Sequence, residues 1–107
     1  MYTVRLMNEF LHGPIWVYDS EGIAVWKYPL VSDDHILMSL NHKADEMFSN
    51  YYEFDSHDEA CWFNYEKEKR EKTQMLEIIS KINTRLNEIN DGSFVVQDYE
   101  TDRLNRL

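Results

Sequence analysis

The side chains able to do acid–base, nucleophilic or metal chemistry are four histidines, twenty carboxylates and one cysteine, and their spacing argues against each chemistry. His42 and Glu46 stand one helical turn apart and could begin a metal shell, which would need further converging ligands. His35 is seven residues from His42, about 10 Å along a helix, too far to complete it. These residues read as surface or ion-paired groups. His57-Asp58 has the composition of a general base with its orienting acid, yet adjacent residues point apart and working pairs are assembled across space. Asp55 and Asp58 could divide acid and base roles, but twenty acids in 107 residues bring some pairs together without purpose. Cys61 has no identifiable activating base and reads as a small buried hydrophobe beside Trp62 and Phe63. Gly13, Gly22 and Gly92 are isolated, each at an expected turn, and make no phosphate-binding loop. The expectation is a non-enzyme with no catalytic residue, no metal and no cofactor.

Binding is the better use of these residues. The formal net charge is −9, and residues 44–59 hold six acids and no base, two thirds of that imbalance. Clustered charge makes a local field. The acids Asp45, Glu46, Glu53, Asp55, Asp58 and Glu59 are interleaved with Tyr51, Tyr52, Phe54 and nearby Trp62. A pI near 4.8 disfavours direct contact with a phosphate backbone and favours a basic protein partner. The plainer reading is that these acids solvate a loop, screened within about 8 Å at physiological salt. The candidate partner-binding set is Asp45, Glu46, Tyr52, Glu53, Asp55, Asp58, Glu59 and Trp62.

The elements that must position this set follow from periodicity. A length of 107 residues, 43% hydrophobic and 14% aromatic, fits a single folded domain over 1–107. No apolar run approaches the roughly eighteen residues of a membrane span, and the first residues lack a signal-peptide layout. With one cysteine and hence no intrachain disulfide, the expected compartment is the cytoplasm. Residues 2–7 alternate as a strand, Gly13-Pro14 punctuates, and 15–18 form a second strand. A turn at 19–22 leads to a third strand over 23–28, making a hairpin packed through Trp16, Tyr18, Trp26 and Tyr28.

Ser32-Asp33-Asp34 offers caps for a helix whose buried stripe is Ile36, Leu37, Leu40, Ala44, Met47, Phe48 and Tyr51. Residues 50–63 show no clear period and contain a loop or short strand at 52–55. From Tyr65 a second helix opens on a solvated face, with Glu66/Arg70, Lys67/Glu71 and Glu68/Lys72 spaced to pair. It continues through Met75, Ile78, Ile79, Ile82, Leu86 and Ile89 to a stop at Asn90-Asp91-Gly92. Phe94-Val95-Val96 reads as an interior strand, and residues 101–107 as a tail prone to fray. The expected fold is α+β: a small, mainly antiparallel sheet in β-β-β-α-α-β order packed against two helices.

Three segments carry a family resemblance: Met7-Asn8-Glu9-Phe10 with Gly13-Pro14-Ile15-Trp16-Val17-Tyr18-Asp19; Tyr51-Tyr52-Glu53-Phe54-Asp55 with Cys61-Trp62-Phe63; and Arg85 to Phe94. Together they resemble immunity proteins of bacterial contact-dependent growth-inhibition (polymorphic toxin) systems. The resemblance implies a cytosolic antidote that binds one cognate toxin domain, often a nuclease, and acts by occlusion. It assigns no contact residue. A nuclease presents a basic substrate groove, which Glu53, Asp55, Asp58 and Glu59 could enter while Tyr52 and Trp62 serve as anchors. The alternatives are an acidic nucleic-acid mimic or regulator that blocks a DNA- or RNA-binding protein, and a small enzyme, for which nothing places a pocket.

Overall fold

A computed structural model describes all 107 residues. Strand β1 (Tyr2–Leu6) is central in a three-stranded sheet, flanked by β2 (Ile15–Tyr18) and β5 (Phe94–Asp98). β2 runs antiparallel to β1 with Leu6 opposite Ile15, and β5 runs parallel with Tyr2 opposite Phe94. Alternation turns Val4 and Leu6 inward, both fully buried. Against them pack α2 (His35–Ser49) through Leu37, Ala44 and Phe48, and α4 (Lys72–Ile89) through Met75, Ile79, Ile82 and Leu86. The remaining elements are α1 (Pro29–Ser32), β3 (Tyr52–Ser56), β4 (Glu59–Phe63), α3 (Tyr65–Arg70) and α5 (Glu100–Asn105). The chain is α+β, with small sheets packed on helices, and no helix is long and apolar enough to cross a membrane.

The expected third strand over 23–28 does not form. Asp19 accepts hydrogen bonds from the Glu21 and Ile23 amides, and beyond Gly22 (φ +80°) the chain touches β2 through a single bridge, Tyr18 to Ala24. It then leaves for α1, because the Tyr28 ring stacks on Tyr2 at 4.2 Å and its hydroxyl meets Ser93 Oγ. Trp26, expected in the packing, is 96% exposed. The antiparallel strands missing at 23–28 lie instead at 52–63, where β3 and β4 form a separate hairpin.

Asp34 caps α2 by accepting the Leu37 amide, and Arg85 of α4 grips the same carboxylate at 2.7 Å, tying the two helices together. The Arg85 hydrogen bonds hold the Asp34 carboxyl below its ordinary range. The α2 stripe is as expected except at Ile36, which is 52% exposed.

The single helix expected from Tyr65 is broken at Glu71, which closes α3 and opens α4. Its opening face is not simply solvated: none of the three expected pairs closes, and Glu68 is 2% exposed and paired with Arg103 at 2.7 Å. Arg103 also grips Glu100, and Glu100 accepts both the backbone and side-chain N–H of Asn8. Burial by itself lowers the Arg103 pKa, but the two carboxylates outweigh it and raise the group further above its ordinary range. These bonds, with the buried Leu104, hold residues 100–105 as a helix rather than a frayed tail. β5 is an edge strand, not an interior one, with Val95 and Val96 exposed.

Candidate functional site

Ten of the residues between 52 and 63 form the β3–β4 hairpin, whose strands pair only with each other and bury no residue fully. Registry sets Tyr52 opposite Phe63, Glu53 opposite Trp62 and Phe54 opposite Cys61. Side chains therefore alternate between two faces. At the turn, His57 and Asp58 both have positive φ, +54° and +59°, the signature of a type I′ connection. His and Asp tolerate this left-handed region better than most residues, which is how the turn forms without glycine.

Aromatic packing fixes the base of the hairpin. The Tyr52 ring lies 4.6 Å from Phe10, 5.8 Å from Phe48 and 4.9 Å from Phe63. Burial, reinforced by the Glu9 carboxylate, pushes the Tyr52 phenol up from its usual pKa. Asn64 caps α3 by accepting the Lys67 amide while its own amide donates to Glu53 at 2.8 Å. The arm is thus joined to the body by an aromatic cluster and a polar latch.

The eight candidate residues divide into three groups. Asp55, Asp58 and Glu59 are exposed at or beside the turn, and half-buried Trp62 stacks on His57 at 3.8 Å. The three acids lie at the outer end of the arm, and Trp62, which stands opposite Glu53 nearer the base, reaches that end through its stack on His57. Glu53 is on the arm but committed internally, accepting from Ser56 Oγ as well as Asn64. Tyr52 is packed into the base and positions the arm. Asp45 and Glu46 belong to α2: Asp45 accepts the Ser49 hydroxyl, and Glu46 meets His42 at 3.0 Å on an open surface. Such an exposed pair contributes little to stability.

The sequence reading missed two members of the arm. Phe54 is 59% exposed, 5.9 Å from the Phe10 ring, and Cys61, opposite it, is exposed rather than buried. The signal for both was the alternation of residues 52, 54, 61 and 63, legible once two strands rather than a loop are assumed. Leu11, which follows Phe10 in the chain and whose amide donates to Ser49 Oγ, is a further exposed apolar residue, at 72%.

Elsewhere the chemistry is structural. Glu68 and Glu100 are committed to Arg103, and neither lines any of the three principal clefts. No group of three His, Cys, Asp or Glu side chains is arranged to hold a metal ion. His57 Nδ1 is directed to Ser56 Oγ, not to Asp58. The arm offers an acidic and aromatic surface. No family model matches this chain, and neither does any curated protein or solved structure.

Proposed function

We propose that the chain is a cytoplasmic immunity protein that binds and neutralises one cognate antibacterial toxin domain, using the β3–β4 arm as its recognition element. The observation that supports this reading is the hairpin itself: Asp55, Asp58 and Glu59 surround its turn, beside a Trp62–His57 stack. A nuclease must keep a basic groove for its substrate, and an arm carrying carboxylates on a hairpin tip has the shape and charge to occupy one. The acids accelerate encounter and set orientation, while Trp62 loses its remaining exposure on docking and supplies the anchor. A nucleic-acid mimic needs carboxylates spaced along an extended surface like phosphates, and the concentration of acids at one turn favours a single complementary patch instead.

The test is binding to, and inhibition of, the toxin encoded immediately upstream. One-to-one binding is expected, with Trp62→Ala weakening it by roughly 30-fold or more, the loss of an anchor. Changing Asp55, Asp58 and Glu59 together to amides slows association, most strongly at low salt. An intact protein that neither binds nor inhibits that neighbour overturns the reading, and a salt-independent association rate removes the acids from it.

A further inference from the structure

The face of the three-stranded sheet that turns away from α2 and α4 carries a feature independent of the arm. Alternation places Thr3 and Arg5 of β1, Trp16 and Tyr18 of β2, and Val95 and Gln97 of β5 on it, opposite to the buried Val4, Leu6, Ile15 and Phe94. None of the six belongs to the buried core, and Val95 is 44% exposed. Arg5 is the one charged side chain among them, in a chain with 20 carboxylates.

Arg5 is held in place yet has no counter-charge. Its Nε and Nη2 both donate to Gln97 Oε1, at 3.2 and 3.1 Å, and its guanidinium carbon lies 4.6 Å from the centre of the Tyr18 ring and 5.2 Å from that of Tyr99. The Tyr99 hydroxyl donates to the same Gln97 oxygen, which fixes that ring at the margin of the face. Arg85 and Arg103 each close on carboxylates, whereas Arg5 takes part in no ion pair. Arg5 Nη1, the Tyr18 hydroxyl and Thr3 Oγ1 make no hydrogen bond, and the only buried side-chain N or O atoms without a partner are Asn8 Oδ1 and Ser32 Oγ. These three groups are therefore open to solvent, at neighbouring positions of one face. A guanidinium has donors only, so whatever completes it is an acceptor, and the planar fork fits a bidentate oxyanion. One cation, with no second Lys or Arg on the face, matches the single charge of a carboxylate rather than the roughly −1.5 to −2 of a phosphate group. Arg5, Tyr18, Gln97 and Tyr99 line none of the three principal clefts, so a small acid would find no enclosure there. An open face of Arg, Tyr and Trp has instead the residue types that anchor protein contacts.

We propose that this outer sheet face docks an acidic segment of a partner protein, one carboxylate of which pairs with Arg5 between Tyr18 and Tyr99. The probe is an N-acetylated, C-amidated peptide of alternating glutamate and glycine, titrated into the ¹⁵N-labelled protein and followed by NMR. Salt of about 0.15 M screens repulsion from acids farther than about 8 Å away. Saturable shifts are expected at the Arg5 Nε–H and the amides of Thr3, Arg5, Tyr18 and Gln97, with the amides of Asp55 and Asp58 unmoved. The same peptide with glutamine for glutamate binds about tenfold or more weakly, the loss of a charge-assisted pair. Arg5→Gln lowers the affinity for the glutamate peptide to that of the glutamine peptide and leaves the α4 amides in place. Arg5→Lys keeps the charge without the fork and weakens the glutamate peptide roughly three- to tenfold, the value of one hydrogen bond. Absence of saturable shifts in the unaltered protein, equal affinity for the two peptides, or undiminished binding by both Arg5 variants overturns the proposal. So does tighter binding of inorganic phosphate or of oligouridylate than of the glutamate peptide, which would assign the face to a phosphate-bearing ligand.

Discussion

The three-stranded sheet buries Val4, Leu6, Ile15 and Phe94 against α2 and α4, whereas the β3–β4 arm buries none of its strand residues and is held at its base by the rings of Phe10, Phe48, Tyr52 and Phe63. The charges differ as sharply. In the body, the buried acids Glu68 and Glu100 share Arg103, while at the turn of the arm Asp55, Asp58 and Glu59 take part in no ion pair. A carboxylate in the body must be paired because desolvation is costly. One on the arm keeps its water. The body therefore carries the stability, and the arm's turn side chains carry little of it, with amide exchange expected to be slow in α4 and fast in β3 and β4.

The largest effect should come from the body's centre. Ile82 is fully buried on α4, and Ile82→Ala should cost about 2–5 kcal/mol in urea unfolding, loss of transfer energy plus the cavity left behind. An effect below about 1 kcal/mol would mean that the α2–α4 contact is not the main support. Arg103→Ala follows closely. It strands Glu68 and Glu100 without a counter-charge, and because Arg103 itself is 36% exposed the expected loss is near the lower end of the buried-pair range, about 3 kcal/mol. Arg103→Ala should also accelerate exchange in α5, which the comparison requires to be part of the body.

Asp34 gives a smaller, pH-dependent test. Its carboxyl is depressed in the folded state by Arg85, so its contribution is present above its unfolded value of 3.8 and is lost as pH falls through the lower folded value. Asp34→Ala should cost about 1–2 kcal/mol at neutral pH as a lost cap, and should flatten the decline in stability below about pH 4. An unchanged acid limb would show that other carboxylates dominate it.

The same contrast decides what could be read from the sequence. The α4 stripe from Met75 to Leu86 and most of the α2 stripe were legible because burial on one face imposes its period on the residues. Strands β1 and β2 were legible from alternation and the Gly13-Pro14 break. Gly13 is needed there: it has φ +89°, and a Cβ would come within 2.6 Å of the Asn41 side chain. Residues 23–28 alternate just as well, yet one bridge is all they form, because where Tyr28 packs is set by Tyr2 and Ser93, far away in sequence.

The arm escaped for the opposite reason. Its apolar alternation is confined to two short stretches, 52 and 54 and then 61 and 63, with acids between them, and its turn uses His57-Asp58 where an Asn-Gly or Asp-Gly pair would have announced it. Of the candidate residues, the acids at the turn and Trp62 could be chosen from charge and aromatic interleaving alone. Tyr52 could not be separated from them, since a ring that positions an arm and a ring that meets a partner look alike in sequence. Glu68 was read as surface because nothing local distinguishes a buried acid, and nothing singled out Glu100. Their counter-ion, Arg103, lies 35 residues from Glu68.

The smallest prediction addresses what sets the arm's own order. Asp58 holds φ +59°, a conformation that costs a side chain energy and costs glycine little. Glycine also loses more entropy on ordering, so the two effects partly cancel. Asp58→Gly should therefore stabilise the closed hairpin by only about 0.5 kcal/mol, a roughly twofold slowing of amide exchange at Phe54 and Cys61, with α4 unchanged. Slower exchange confined to the arm would make its turn the limiting element and leave the base cluster as a passive hinge. Faster exchange would mean that Asp58 makes an ordering contribution beyond its backbone conformation, and equal slowing in α4 would mean that arm and body open together, which would dissolve the division between them.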